Sequence, residues 1–228
     1  QICLIHCGEA VDQWKVLHER LRRVKYLADS QITSDILSGA SAVLVDEAHL
    51  LSQEKLEYLL QYCGNRPVIF SSDYENMLSP EELDRAAVHA LEQISGIQSF
   101  RLTNRIRTNA EISSFIQNMM CLPERKKGRH FPHVTVLYAN DDREADVLLS
   151  DAQHQGYQVI LNEAEPVICA DRLAMVLDQR YFYDRQNYLR SDDRSVRRLF
   201  HQLNGAKEEL LLVVKQNEPF YTVLLDLL

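Results

Sequence analysis

Short apolar runs alternate with longer amphipathic stretches along this chain, the pattern of buried parallel strands joined by crossover helices. Ile2 to His6 reads as a strand already formed at the first residue, as though the chain begins inside a domain. Val11 to Lys25 predicts a helix, with Trp14, Val16, Leu17, Leu21 and Val24 near one face and Arg20, Arg22 and Arg23 largely on the other. Those arginines fit a solvated face better than a phosphate grip. A short helix over Ser34 to Leu37 leads into the strand Ser41 to Val45. Ser52 to Tyr62 then places Leu56, Leu59 and Leu60 at helical spacing and stops at Gly64. Pro67 to Asp73 is the next strand, and strand, helix, strand in succession implies a parallel sheet.

Ser79-Pro80-Glu81-Glu82 is a capping box that opens a helix with Leu83, Ala87, Leu91 and Ile94 as its buried stripe. Gln98 to Arg105 reads as a strand. Thr108-Asn109-Ala110-Glu111 reads as a second capping box, ahead of Ile112, Phe115, Ile116 and Met119. Residues 121 to 132, with two prolines, a glycine and four basic residues, form a loop that could touch a phosphate backbone and fits a solvated loop better. Further on, Val134 to Tyr138, Tyr157 to Leu161, Leu173 to Leu177 and Glu209 to Val214 predict strands. Glu144 to Ala152, the stripe Val196, Leu199, Phe200 and Leu203, and Phe220 to Leu228 predict helices. The pattern is weak from Asn162 to Asp171, and Tyr181-Phe182-Tyr183-Asp184 is aromatic and polar without a clear period.

Composition narrows the class. The chain has 228 residues, 46% hydrophobic and 25% charged, which suits a globular protein with one large core or two smaller ones. Net charge of −8 and a pI near 5.5 argue against a generally basic nucleic-acid binder, though not against a local groove. No apolar run approaches membrane-span length and no signal-peptide pattern opens the chain, so a cytoplasmic protein is expected. The five cysteines, at 3, 7, 63, 121 and 169, fit free thiols better than a disulfide framework. Cys3, His6 and Cys7 lie in an apolar strand without a second ligand pair, which favours core residues over a metal site.

Ser41-Ala42-Val43-Leu44-Val45 runs straight into Asp46-Glu47-Ala48-His49. A strand that delivers two acids to its carboxyl end suits nucleotide hydrolysis: Asp46 would hold Mg²⁺ through water, and Glu47 would orient or deprotonate the attacking water. The plainer alternative is that both acids cap the next helix.

Several stretches resemble, in order, the motifs of superfamily-one helicases, the tandem RecA-like motors of the UvrD/Rep-like group. Asp46-Glu47-Ala48-His49 is similar to their second motif. Ser72-Asp73-Tyr74-Glu75-Asn76 resembles Gly-Asp-x-x-Gln, with serine for glycine and asparagine for glutamine. Leu102-Thr103-Asn104-Arg105-Ile106-Arg107-Thr108 resembles Leu-x-x-Asn-Tyr-Arg-Ser, which puts Arg107 where the family senses the γ-phosphate. Leu203-Asn204-Gly205-Ala206-Lys207-Glu208-Glu209-Leu210 resembles the sixth motif, with Gly205 in place of the arginine finger. Cys169-Ala170-Asp171 is the best remnant of a fifth motif.

The resemblance implies an α/β chain of two RecA-like lobes, residues 1–96 and 97–228, parallel sheets flanked by helices, the first truncated at its amino end. It implies an ATP-dependent DNA or RNA helicase or translocase, with Asp46, Glu47 and Arg107 in catalysis and Asp46, Asp73, Asn76 and Arg107 facing ATP and Mg²⁺ between the lobes. Two departures stand against activity. No glycine is followed by lysine, so the phosphate loop is absent from this chain, and the sixth motif lacks its arginine. The chain alone is therefore expected to be nearly inactive, ATP and Mg²⁺ being cofactors only with a phosphate loop upstream. In such a longer form Gly205→Arg is expected to raise the rate unless Gly205 adopts a positive φ. The competing expectation is a non-catalytic helicase-like module that binds a protein partner or nucleic acid. A metal-dependent nuclease using Asp46, Glu47 and Asp73 is the least supported class, because no lysine or third clustered carboxylate accompanies them.

Overall fold

In the computed structural model, the residues described are 1–8, 16, 19–73, 77–85, 98–100, 108–124, 130–161, 167–192 and 195–228. The chain divides into two compact units, Gln1–Leu102 and Thr103–Leu228. Each holds a four-stranded, all-parallel sheet with helices packed on it, so the α/β class expected from the sequence is what is found. The boundary expected at 96/97 lies outside the described residues.

In the first unit, β1 (Ile2–His6), β2 (Val24–Ala28), β3 (Ala42–Asp46) and β4 (Val68–Phe70) lie in the order β2-β1-β3-β4. This is the order of the first four strands in flavodoxin-like doubly wound sheets. From β1 the chain leads to β2 on one side, whereas from β3 it leads to β4 on the other, so the β1/β3 boundary is the switch point of the sheet. Cys3 and Ile5 of β1 and Val43 and Val45 of β3 are buried on one face with Leu56, Leu59 and Cys63 of α2 (Gln53–Cys63) and Leu37 of α1 (Ser34–Gly39). Ser52 caps α2 by accepting from the Lys55 N–H, and Gly64 ends it at φ 56°. α3 (Pro80–Arg85) follows. The Ser79 hydroxyl accepts from the Glu82 N–H, whereas the Glu82 carboxylate reaches back to the Leu78 N–H and not to Ser79 itself.

β2 corrects the expected helix over Val11–Lys25: Val24 and Lys25 pair with Ile2 and Cys3 as strand. Val16, Glu19 and Arg20 are helical, and the rest of that stretch is outside the described residues. The strand expected over Gln98–Arg105 is not found at Gln98–Phe100, which are irregular and exposed; residues 101–105 lie outside the described set.

In the second unit, α4 (Ala110–Met120) precedes β5 (Val134–Ala139), α5 (Asp142–His154), β6 (Gln158–Ile160) and β7 (Ala170–Leu177). A hairpin β8 (Tyr181–Tyr183) and β9 (Leu189–Ser191) comes next, then α6 (Val196–Leu203), β10 (Ala206–Lys215) and α7 (Glu218–Leu227). The strand order is β5-β10-β7-β6. Central β10 is buried on both faces: Leu211 and Val213 meet Ala145, Leu149 and Ala152 of α5, while Leu210, Leu212 and Val214 are buried on the opposite face. α4, not the expected Thr108, takes its cap from Asn109, whose side chain accepts from the Glu111 N–H. The antiparallel hairpin went unanticipated. Its turn uses the Asp184 side chain as acceptor for the Gln186 and Tyr188 N–H groups, with Asn187 at φ 63°. The expected loop after α4 contains a 3₁₀ turn at Leu122–Glu124, and Cys121 bridges to Tyr188. Among the described residues no helix is long and apolar enough to cross a membrane.

Candidate functional site

Asp46 is the last residue of β3 and lies directly opposite His6, the last of β1. Parallel register puts both on the face away from α2, because Val45 and Ile5 beside them point into the core. The ladder runs one step further, with the Cys7 N–H donating to the Asp46 carbonyl at 3.1 Å. The carboxylate is held at both oxygens: Oδ2 lies 3.0 Å from His6 Nδ1, and Oδ1 accepts from the Ser71 hydroxyl at 2.8 Å. Burial pushes the Asp46 pKa up, but the His6 and Ser71 hydrogen bonds outweigh it and hold the group below its ordinary value. Asp46 is therefore a fixed anion at the switch point.

Glu47 follows in the left-handed region at φ 51°, ψ 42°, a conformation uncommon outside glycine and asparagine and found disproportionately at functional positions. The kink turns the chain so that the Ala48 N–H donates to the Ser71 carbonyl at 2.8 Å, tying the exit of β3 to the exit of β4. The Glu47 carboxylate lies against the Gly8 backbone. A Cβ on Gly8 would overlap Glu47 Oε2 and stand 2.9 Å from Glu47 Cδ, so only glycine leaves the acid its place. His6 Nε2 is 3.8 Å from the same Oε2.

The helix-cap alternative does not hold. Ser52 caps α2, and the Glu47 side chain makes no cap hydrogen bond to the 3₁₀ turn that follows it. His49, 1% exposed, accepts the Asp73 N–H at Nδ1 (3.3 Å), which brings the backbone of the stretch that resembles Gly-Asp-x-x-Gln to the same edge. The Asp73 side chain is exposed. Asn76 and Arg107 lie outside the described residues.

Neighbouring groups set limits on the chemistry. The Cys7 thiol is pushed up to about 12, first by burial and then by Asp29, Asp46 and Glu47, so it offers no thiolate nucleophile near neutral pH. Burial and the same two acids raise the Tyr26 phenol. Among the described residues no group of three or more His, Cys, Asp or Glu side chains is arranged to hold a metal directly. An ionised, partly exposed carboxylate nonetheless fits a cation held through water.

In the second unit, two motif-like stretches far apart in sequence meet. The Thr108 hydroxyl donates to the Ala206 carbonyl, and the Asn109 N–H donates to the Lys207 carbonyl at 3.0 Å, joining the start of α4 to the start of β10. Gly205 sits at that junction, where its carbonyl accepts from the Ala170 N–H. A Cβ there would overlap the Ile168 carbonyl oxygen and stand 2.9 Å from that of Gln202. Among the described residues the positive-φ glycines are Gly64 and Gly156, so Gly205 is required for space and not for its dihedral. Asp171 is exposed and pairs with Lys207 at 3.3 Å.

His6, Gly8, Ser71 and the His49 contact escape a reading of the sequence in order. The available signal was a histidine and a serine ending strands parallel to the one that ends in Asp46. No protein-family model matches the chain, and no curated protein matches it significantly.

Proposed function

We propose that this chain is the helicase- or translocase-like core of an ATP-dependent motor acting on DNA or RNA, active only together with a phosphate-binding loop supplied outside these residues. The observation that carries the reading is the Asp46–Glu47 pair at the carboxyl end of β3 on the switch point of its sheet, with Asp46 held ionised and neither acid used as a cap. The junction of Thr108–Asn109 with Ala206–Lys207 supports it, since the stretch that ends in Arg107-Thr108 and the sixth-motif-like stretch would have to act together. Asp46 would hold Mg²⁺ through water. Bound there, the cation would neutralise charge on phosphate oxygens. Glu47, swung out by its left-handed backbone, would orient or take a proton from the attacking water.

The test has two arms. The 228-residue chain should hydrolyse ATP negligibly and bind it weakly; micromolar affinity by calorimetry would overturn that expectation. In a longer form that carries a phosphate loop, Glu47→Gln should abolish hydrolysis while leaving ATP binding largely intact, because the acid acts on water and not on the nucleotide. An unchanged rate would favour the second reading, a non-catalytic helicase-like module for a protein or nucleic-acid partner. The observation behind that alternative is Gly205, where the backbone leaves no room for the missing arginine.

A further inference from the structure

Among the described residues His6 is the imidazole that lies against both acids of the candidate site, and its surroundings allow it little freedom. Its position is set by the β1–β3 register, which pairs it with Asp46, and by a burial that leaves it 3% exposed. One ring edge meets Asp46 Oδ2 at 3.0 Å; the other faces Glu47 Oε2 at 3.8 Å. An ionised carboxylate only accepts, so the proton of that first bond sits on Nδ1. In a wall this dry, a hydrogen bond to an anion is stronger than in water and fixes the rotamers of both partners. Gly8 approaches the same Glu47 oxygen, where a Cβ would overlap Oε2 and stand 3.1 Å from His6 Nε2.

We propose that His6 is the positioning residue of Asp46, fixing its carboxylate through Nδ1–H at the point where Glu47 follows. The consequence for a bound cation rests on the motor reading above; the hold of the ring on Asp46 does not. Groups that orient the carboxylate beside a metal are worth roughly 10- to 100-fold in metal affinity. His6 contributes in this way without touching the cation.

Two measurements on the 228-residue chain test it. The first is the ¹⁵N chemical shifts of the His6 ring near neutral pH. The expected result is a protonated Nδ1 in the wild type that is lost in Asp46→Leu; a ring with Nδ1 bare in the wild type overturns the proposal. The second is Mn²⁺ binding followed by the electron paramagnetic resonance of the free ion, with thermal unfolding as the folding control. His6→Leu should bind about tenfold more weakly, while His6→Asn, whose amide reaches Asp46 in place of Nδ1, should stay within about threefold of wild type. If His6→Leu does not fold, the pair His6→Asn and His6→Gln decides, because glutamine carries its amide at the Nε2 distance and should bind more weakly than asparagine. Equal Mn²⁺ affinity for wild type and His6→Leu, or for asparagine and glutamine, overturns positioning. A protonated Nδ1 in a wild type that shows no Mn²⁺ binding sensitive to Asp46→Asn upholds the ring's hold on Asp46 and overturns only the consequence for a cation bound to this chain without a phosphate loop.

Discussion

The two sheets carry their motif-like residues at opposite ends of their strands, and the positions are built differently. In the first unit, Asp46, Glu47 and Ser71 gather where β3 and β4 leave the sheet and are joined by side-chain hydrogen bonds and one strained backbone. In the second, Thr108, Gly205 and Lys207 gather where β10 enters, and the contacts are mostly backbone to backbone, with Gly205 wedged among carbonyls. The carboxyl edge of that second sheet is tied between β5 and β10: the Gln216 N–H donates to the Ala139 carbonyl, and Lys215 pairs with Asp142 at 2.5 Å. The first site can exchange partners without moving the chain. The second cannot.

The largest effect should follow from breaking that second junction. Gly205→Arg, expected from the motif to restore a missing charge, has the permitted φ but not the space, since even a Cβ overlaps the Ile168 carbonyl. Overpacking against backbone costs about 3 kcal/mol or more. Urea unfolding should show the second unit strongly destabilised in both Gly205→Arg and Gly205→Ala, with no gain in hydrolysis by a longer form. A Gly205→Ala variant as stable as wild type would remove the steric account and reopen the restored-finger expectation.

Next in size is the acid response of the first unit. The Asp46 pKa is held below its ordinary value of 3.8, so its contribution is present above that value and is lost as pH falls through the lower folded value. Acid unfolding of the wild type should steepen below about pH 4, and Asp46→Asn should flatten that limb while costing about 1–3 kcal/mol at neutral pH through the buried His6 it leaves poorly paired. An acid limb unchanged by the substitution would show that Asp46 is not held as a paired anion.

A gentler change sharpens the contrast. Gly8→Ala pushes the end of the Glu47 side chain, which can swing aside, and puts its methyl 3.1 Å from the buried His6 ring, so the cost should be about 1–2 kcal/mol, below that of Gly205→Ala. The Glu47 carboxylate should nonetheless be displaced, visible as altered side-chain carboxyl ¹³C shifts for Glu47. Unaltered shifts would mean that Gly8 does not define its place.

What the sequence disclosed follows the same division. β1, β3, α2, β5, β7, β10 and α5 were legible because each buries a continuous run or a clear stripe. β2 was hidden because Leu21 and Val24 extend a helical stripe, while as a strand it pairs on one side only and fully buries just Leu27. The β8–β9 hairpin was hidden by a turn built on Asp184 and Asn187 without glycine. Asp46 and Glu47 were visible as the end of a strand. Their partners His6, Gly8 and Ser71 depend on which strands become neighbours, and sheet order is a property of the whole unit and not of any window of residues.

The smallest expected effect concerns the polar stitching at the amino edge of the second sheet, away from any candidate chemistry. Tyr157 donates to Glu209 at 2.5 Å, and Arg172 lies over the tyrosine ring, 5.0 Å from its centre, while donating to Glu209 at 2.8 Å. Burial raises the Tyr157 phenol to about 12, helped by the Glu209 hydrogen bond and charge and opposed by Arg172. A raised folded pKa contributes stability that is fully present below the unfolded value of 10 and is lost as pH rises through about 12. Tyr157→Phe should therefore cost about 1 kcal/mol at neutral pH, for one part-exposed hydrogen bond, and should reduce the loss of second-unit stability between those two pH values. The first unit should respond alike in both proteins, since it lacks this cluster. If alkaline unfolding of the second unit were identical in wild type and Tyr157→Phe, the three groups would be merely adjacent, and the rigidity of that edge would belong to the Gly205 junction alone.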